Sequence, residues 1–408
     1  MARVAGDRPP DWVLPSTVSR TFKVSVVTPM FGGGATLKEA NANYPLRAAA
    51  IRGSLRFWWR AVKGCHHATA AKLFAAEEQL WGSMSVPGKI AISVTVDDKG
   101  KSQPCAVYPP GKSFPQFTQG WPPYALFSFK GQSSRGAVEE SPSSALVGVK
   151  FTLTITADAA SMEDADAAVY AWLLYGGVGS RTRRGCGSLK LEGAVPVVAA
   201  MQERADGGLI PALYGANLAQ RAPVKDAATA WNDAVSLYQQ FRQGVDFARN
   251  RGSESNRPGR SRWPEPDAIR RLTNQYANQH KPAHRVEMGF PRADLGLPIV
   301  FHFQGERVGD PHDTTLQGES GRSRMASPVI TKAVQCADGF IPTVLVLNAP
   351  HVWEGTDVEL KGNRVNRANI ELSEAERKNV PPLNGHHVRE ALLVHAAKQP
   401  GWQRSNLS

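Results

Sequence analysis

Apolar and polar residues alternate along several short segments in the first half of the chain. In the first segment, Thr21 to Thr28, the side chains of Phe22, Val24 and Val26 share one face, as in a strand with one buried side. Other segments repeat apolar residues with the helical period. The predicted order is a strand at Thr21 to Thr28, helices at Pro45 to Lys63 and around Ala68 to Leu80, strands at Lys89 to Val96 and Val149 to Thr156, a helix at Met162 to Leu174, and a strand at Ser188 to Glu192. This order predicts an α+β sheet with its helices on one face, the ferredoxin-like arrangement.

The second half of the chain, from about Gly207, carries a weaker version of the same pattern. Its predicted elements are a long helix at Asp226 to Phe247, strands at Leu297 to Phe303, Val329 to Val334 and Thr343 to Leu347, and a late helix at Val388 to Ala397. We interpret this half as a second, more diverged copy of the sheet. The predicted fold class is therefore α+β, with two tandem ferredoxin-like (RRM-like) domains at residues 16–206 and 207–408 and with loop and helical insertions. One such insertion is the polar segment Gly252 to Pro266.

Composition suggests the kind of partner. The chain of 408 residues has 48 Lys and Arg against 36 Asp and Glu, and its formal net charge of +12 favours a polyanionic partner such as nucleic acid. The four cysteines include no Cys-x-x-Cys pair, which argues against a disulfide scaffold or a zinc ribbon and is typical of a reducing compartment. No segment has the ~20 apolar residues of a membrane helix, and Met1 to Pro15 lacks the apolar core of a secretory signal. We therefore expect a soluble, cytoplasmic protein.

The first predicted helix carries an unusual run of cations and aromatic residues, Ile51-Arg-Gly-Ser-Leu-Arg-Phe-Trp-Trp-Arg-Ala61. Its cations recur at positions i, i+4, i+8 and i+11 and form one ridge, Arg52, Arg56, Arg60 and Lys63. Four like charges without an interleaved carboxylate repel one another, and a bound anion relieves that cost. The ridge therefore predicts phosphate contacts, with a solvated basic face as the alternative. On the same helix Trp58 is predicted to be a core residue.

A glycine- and arginine-rich segment, Gly176 to Gly187, follows the next predicted helix. Its glycines permit positive φ and close approach of backbone amides to a phosphate, and its three arginines supply planar pairs of donors. It is not a Walker A loop, because no Gly-Lys-Ser/Thr follows, and it leads from a helix into a strand, the reverse of a dinucleotide fingerprint, so that nucleotide hydrolysis is disfavoured. We predict contact with RNA or phosphate. The glycine turn Thr28 to Gly34 is expected to meet this loop over the sheet.

Together these segments resemble the RAMP (repeat-associated mysterious protein) superfamily, and within it the family of first subunits of the type III-B CRISPR Cmr complex. The resemblance rests on Thr28-Pro-Met-Phe-Gly-Gly33, on Ile51 to Arg60, and on the spacing Gly179-x5-Gly185-x-Gly187. Arg324-x-x-Ser-Pro328 and Leu295 to Ile299 in the second half also resemble segments of that family.

The resemblance implies two ferredoxin-like domains in a non-catalytic, RNA-binding subunit of an antiviral ribonucleoprotein. It implies contact with the 3′ part of the CRISPR RNA, with the target RNA or with both, beside other Cmr subunits, and target cleavage by a different subunit. The residues predicted to bind RNA are Gly33, Arg47, Arg52, Arg56, Arg60, Lys63, Gly179, Arg181, Arg183, Arg184, Gly185 and Gly187.

Two other functions stay open at this point. His66 and His67 follow the first helix, where some RAMP proteins place a histidine that processes CRISPR RNA without a metal, although the sequence shows no positioned partner for either. A subunit that contacts only proteins through its basic surfaces is the other. A zinc site at His280 and His284 is disfavoured, because Pro282 interrupts their helical spacing and no third ligand is evident. We expect neither a metal nor a cofactor.

Overall fold

The computed structural model describes residues 16–32, 40–134, 137–193, 201–203, 209–211, 213–252, 259–303, 305, 308–319, 323–355, 357–361, 363–365 and 369–407. The helices are α1 (Ala48–Lys63), α2 (Ala70–Trp81), α3 (Pro123–Leu126), α4 (Ala159–Tyr175), α5 (Ala227–Gln243), α6 (Glu265–Thr273), α7 (Glu374–Lys378) and α8 (Val388–Ala397). The strands are β1 (Val18–Val26), β2 (Ala91–Asp98), β3 (Lys101–Pro104), β4 (Ala106–Val107), β5 (Gln116–Phe117), β6 (Gln132–Ser134), β7 (Ala137–Glu140), β8 (Ser144–Val147), β9 (Lys150–Ala157), β10 (Leu189–Leu191), β11 (Met201–Glu203), β12 (Leu209–Pro211), β13 (Asn217–Arg221), β14 (Ile299–Phe301), β15 (Thr314–Gly318), β16 (Val329–Cys336), β17 (Gly339–Val346), β18 (Val358–Leu360), β19 (Asn363–Val365) and β20 (Trp402–Asn406).

The first sheet has the antiparallel order β10-β1-β9-β2. Helices α1 and α2 connect its first two strands and α4 connects its last two, which is the βαββαβ succession of a ferredoxin-like sheet. Strand β9 alternates between buried and half-buried residues, so that its apolar face covers the core. Helix α4 is buried around most of its circumference, because it lies between this sheet and the second half of the chain. The prediction of an α+β, ferredoxin-like fold is confirmed.

A second antiparallel sheet has the order β16-β17-β13-β20. When the strands of each sheet are numbered from 1 to 4 along the chain, both large sheets have the order 4-1-3-2. Helix α5 follows its first strand, and α8 precedes its last. The long segment between α5 and β16 contributes α6, β14 and β15, and a smaller sheet of order β14-β15-β18-β19 forms around its own apolar cluster. The predicted domain boundary at residues 206 and 207 lies outside the described residues, and the division into two domains stays a prediction.

The two large sheets share one apolar core. Ile330, Val334 and Leu345 of the second sheet belong to the same buried cluster as Trp58 and Trp172 of the first half. A cluster of this kind makes the packing of each half dependent on the other.

Two polar contacts join the same surfaces. The carboxamide of Gln335 on β16 accepts a hydrogen bond from the N–H of Leu191 on β10 at 2.8 Å and donates one to its carbonyl oxygen at 2.9 Å. Lys332, also on β16 and fully buried, donates to the carbonyl oxygen of Gly176. The second half therefore reaches directly into the glycine-rich segment of the first.

Among the described residues, none of the helices is both long enough and apolar enough to cross a membrane.

Candidate nucleic-acid interface

Helix α1 buries the apolar stripe that its spacing predicts. Ile51, Leu55 and Val62 are almost fully buried in the core shared with the sheet, and Trp58 lies there with them. Trp58 is thus placed as the packing residue that the sequence predicts. The adjacent Trp59 is also buried.

The cationic ridge of α1 packs against α2 and its flanking segments. Arg52 donates to the carbonyl oxygens of Trp81 at 2.9 Å and of Ile90 at 3.1 Å. Arg56 and Arg60 both pair with the buried carboxylate of Glu77 on α2, at 2.6 and 2.5 Å.

These contacts reduce the repulsion among the cations, an effect that the sequence analysis attributed to a bound anion. Lys63 pairs with Asp164 of α4 at 2.9 Å, so that two carboxylates of the chain itself pair with three of the four cations. Arg47, which precedes the helix, is exposed and makes no side-chain cap. RNA contact by Arg47 and by the four ridge residues stays a prediction, but the ridge has a structural role that the sequence did not indicate.

The glycine-rich loop and the turn after β1 meet as predicted. The hydroxyl of Thr28 donates to the carbonyl oxygen of Gly185 at 2.6 Å and accepts from the N–H of Ser188 at 2.7 Å. The N–H of Ser180 donates to the carbonyl oxygen of Phe31 at 2.6 Å. Gly33 lies outside the described residues.

Packing alone explains why three of the loop positions are glycine. Gly179, Gly185 and Gly187 have φ of +81°, +81° and +63°, values that other residues rarely adopt. A Cβ atom at Gly187 would lie 1.9 Å from the carbonyl oxygen of Val178, and one at Gly185 would lie 2.4 Å from the ring of Trp231. These glycines are required for the loop to fold, and their contact with RNA stays a prediction.

The three loop arginines attach the loop to its surroundings. Arg181 donates to the carbonyl oxygen of Ala125 at 2.9 Å, and its side chain is still exposed to solvent. Arg183 donates to the carbonyl oxygen of Ser327 and lies 5.0 Å from the ring centre of Phe57. Partial burial and the neighbouring arginine lower the pKa of Arg183.

Arg184 is held more tightly than its two neighbours. It donates to the carbonyl oxygen of Val329 at 3.1 Å and lies 4.6 Å from the ring centre of Tyr238. A guanidinium has five N–H groups, so that each loop arginine retains donors for a ligand.

Two adjoining cavities follow α1 beside the ridge, and we call them together the α1 groove. The first, of about 310 Å³, is lined by Gly53, Ser54 and Phe57 of α1, by the glycine-rich segment with Arg183, and by Ile330 of β16. The second, of about 230 Å³, shares Phe57 and continues along Arg60 and Ala61 to the exposed ring of Tyr214 and to residues 347–350. Both halves of the chain therefore form walls of the groove.

Apart from Arg60, the sequence analysis missed the residues that line this groove on α1. Gly53 is the clearest of them, because a Cβ atom there would have no neighbour within 4 Å. A glycine inside a helix costs about 1 kcal/mol relative to alanine, and no close packing around Gly53 explains that cost. A helix-interior glycine within an otherwise strong helix was thus a signal that could have indicated an open surface.

The histidines considered as catalysts have aromatic neighbours. His66 is exposed, with its ring 5.3 Å from that of Tyr214, and the ring of His67 is 5.9 Å from that of Trp59. Over the described residues, neither is paired with a carboxylate.

The described part of the chain holds no cluster of three His, Cys, Asp or Glu side chains suited to a metal. Both ring nitrogens of His284 are used within the chain, because Nδ1 accepts from the N–H of Val286 and Nε2 donates to the carbonyl oxygen of Arg262. This pattern fixes a neutral tautomer and leaves no lone pair for zinc.

Comparison with known proteins adds a family and relatives. A family model described as the RAMP superfamily matches residues 23–190, the part that holds α1 and the glycine-rich loop. The CRISPR system Cmr subunit Cmr1-2 of Pyrococcus furiosus is 25% identical over 182 residues, covering 42% of this chain and 94% of that protein.

The chain is also similar to solved structures of Cmr proteins, at lower sequence identity. The crystal structure of apo Cmr1 from Pyrococcus furiosus is 16% identical, with a TM-score of 0.43 over 82% of this chain and 89% of that one. A chain in the cryo-EM structure of type III-B Cmr-β bound to cognate target RNA and AMPPnP is 11% identical, with a TM-score of 0.41 over 91% and 98%.

Proposed function

We propose that this chain, whose residues 23–190 match a model of the RAMP superfamily, is an RNA-binding structural subunit of a type III-B CRISPR ribonucleoprotein. In this proposal it contacts the 3′ part of the CRISPR RNA, the target RNA or both, beside other Cmr subunits. The observation that carries the proposal is the α1 groove, which combines two cations, the half-buried ring of Phe57, the exposed ring of Tyr214 and an open surface at Gly53. The family model matches the α1 and glycine-rich segments of this groove. The similarity to a Cmr subunit supports the choice of complex.

The groove has the chemistry of a site for single-stranded nucleic acid. Arg60 and Arg183 border it and offer donors to phosphate oxygens, while Phe57 and Tyr214 offer ring faces on which bases can stack. Stacking and phosphate contacts tolerate any base sequence. A subunit with such a groove accepts any guide or target, as a CRISPR complex requires.

Salt dependence tests this proposal. For about two phosphate contacts along the groove, through Arg60 and Arg183, the logarithm of the association constant for a single-stranded oligoribonucleotide falls with the logarithm of salt concentration at a slope of about −1.4 or steeper, at roughly 0.7 per contact. Fluorescence anisotropy titrations at several salt concentrations measure the slope, and oligomers of different base sequence are expected to give similar values. A slope near zero in the purified chain or in its complex contradicts the proposed binding.

The proposal also predicts that the chain is not a nuclease. We expect the purified chain to leave CRISPR repeat RNA intact, and His66→Ala with His67→Ala to leave target cleavage by the assembled complex unchanged, because aromatic rings rather than acid–base partners surround both imidazoles. Denaturing gels of labelled RNA measure both. Cleavage by the wild-type chain that the double variant lacks would establish the endoribonuclease instead.

A further inference from the structure

A second basic cavity lies in the second half of the chain, outside the region that the family model matches. It has a volume of about 420 Å³, and three separate segments form its walls. These segments are residues 260–262 before α6, residues 283–285, and residues 378–381 at the end of α7.

Cations dominate the lining of this cavity. Arg260, Arg262, Arg285 and Lys378 line it, and Asp267 is the acidic residue among them. The carboxylate of Asp267 is already satisfied within the protein: it accepts from Arg260 at 2.8 Å and from the N–H groups of residues 283 and 284, each at 2.9 Å.

The pKa of Asp267 reflects this arrangement. Burial acts to raise it, but the two backbone N–H groups and Arg260 together hold it below the usual range. Asp267 therefore stays ionised while its lone pairs are occupied by four donor groups, the fourth from Arg270 at 3.2 Å. Asp267 therefore holds the wall of the cavity in place, and it does not neutralise the charges of Arg262, Arg285 and Lys378.

Several cations keep donors for a ligand. Arg262 is oriented by Asn250, which accepts from its Nε at 2.8 Å, and by the carbonyl oxygen of Asp246. Arg285 is exposed and has no ion pair within the described residues. Among the described residues, Lys378 pairs only with Glu374, both being about two-thirds exposed, and an exposed pair of this kind is weak.

We propose that this cavity is a second phosphate site, which takes phosphodiester groups of single-stranded RNA. Point charges and planar donors from three walls suit phosphate oxygens. A mononucleotide site needs a surface for the base, but the lining has no aromatic ring other than the imidazole of His284, whose nitrogens are both engaged. The choice of RNA as the phosphate source rests on the proposed function.

The test removes two charges from the cavity. For Arg285→Gln with Lys378→Gln, we expect the salt slope of binding to an oligouridylate to become less steep by about 1.4, at roughly 0.7 per lost contact. The ratio of the wild-type affinity to the variant affinity therefore falls about sevenfold between 50 and 200 mM salt. Lys225→Gln with Lys398→Gln removes the same charge from exposed positions that do not line the cavity, and is expected to keep the wild-type slope. The conservative pair Arg285→Lys with Lys378→Arg is also expected to keep it, and thermal melts verify folding.

Three outcomes overturn the inference. If wild type binds the oligouridylate and the cavity variant keeps the wild-type slope, the cavity does not contact RNA while the proposed function stands. If the two slopes agree but inorganic phosphate at constant ionic strength raises the melting temperature of wild type and not that of the variant, the cavity is a site for free phosphate. If wild type does not bind RNA at all, the proposed function and this inference both fail.

Discussion

Gly53→Glu is expected to lower the affinity for single-stranded RNA by about 100-fold while the chain remains folded. The Cβ position of Gly53 faces open space in the α1 groove, so that a glutamate side chain enters the groove without displacing a neighbour. A carboxylate brought against phosphate groups costs several kcal/mol, and 1.4 kcal/mol corresponds to a tenfold change in affinity. Anisotropy titrations with an oligouridylate, beside thermal melts, measure both effects.

Two matched variants separate charge from volume at the same position. Gly53→Ala is expected to keep RNA affinity and to raise the free energy of unfolding by about 0.5–1 kcal/mol, since alanine restricts the unfolded chain and favours the helix. Gly53→Gln has the size of the glutamate without its charge and is expected to bind with intermediate affinity. Wild-type affinity in Gly53→Glu would show that RNA binds elsewhere on the chain.

Lys332→Met is expected to remove a pH dependence from the stability of the protein. Burial lowers the pKa of Lys332 to about 7, from an ordinary value of 10.5. Above pH 7 the folded chain releases a proton that the unfolded chain retains, so that raising the pH favours the folded state. Between pH 7 and 9 this difference adds about 2 kcal/mol to the free energy of unfolding of wild type and nothing to that of the variant.

Urea denaturation of wild type and Lys332→Met at pH 7, 8 and 9 gives the free energy of unfolding of each. The expected effect is a change with pH in the difference between these two free energies. The range ends at pH 9 because Cys186, which faces Lys332, has a pKa raised by burial to about 12, and buried thiols contribute with the opposite sign above their ordinary pKa. Lys398→Met, at an exposed lysine, is expected to leave the wild-type curve unchanged. A constant difference between wild type and Lys332→Met would mean that the buried amine does not titrate in this range.

Local pattern predicted those features of the first half that depend on neighbours in sequence. The apolar stripe of α1 and the alternation of β9 each follow from a period along one element. The meeting of Thr28 with the glycine-rich loop also followed, because both segments leave the same end of a predicted sheet. The first two features need no knowledge of distant parts of the chain, and the third, between residues 157 apart, needs only the order of strands in the predicted sheet.

Long-range contacts account for what the sequence could not supply. The carboxylate that neutralises Arg56 is that of Glu77, 21 residues away on another helix, and nothing in the spacing of α1 indicates it. Lys332 lies in a strand that consists mainly of apolar residues, and its place against Gly176 depends on how two sheets pack. The second phosphate site was missed for the same reason, because its cations come from three separate segments.

The side chain of Gln335 has a consequence for the state in which the first half can exist alone. Strand β10 is a terminal strand of its sheet, and unpaired peptide groups on such a strand are a template for association with other chains. Gln335 bonds both the N–H and the carbonyl oxygen of Leu191, and so acts in place of a further strand. A fragment without β16 would uncover this edge together with the apolar surface beneath it. If such a fragment is insoluble, the cause would be the uncovered edge of β10, and the first sheet could still have formed.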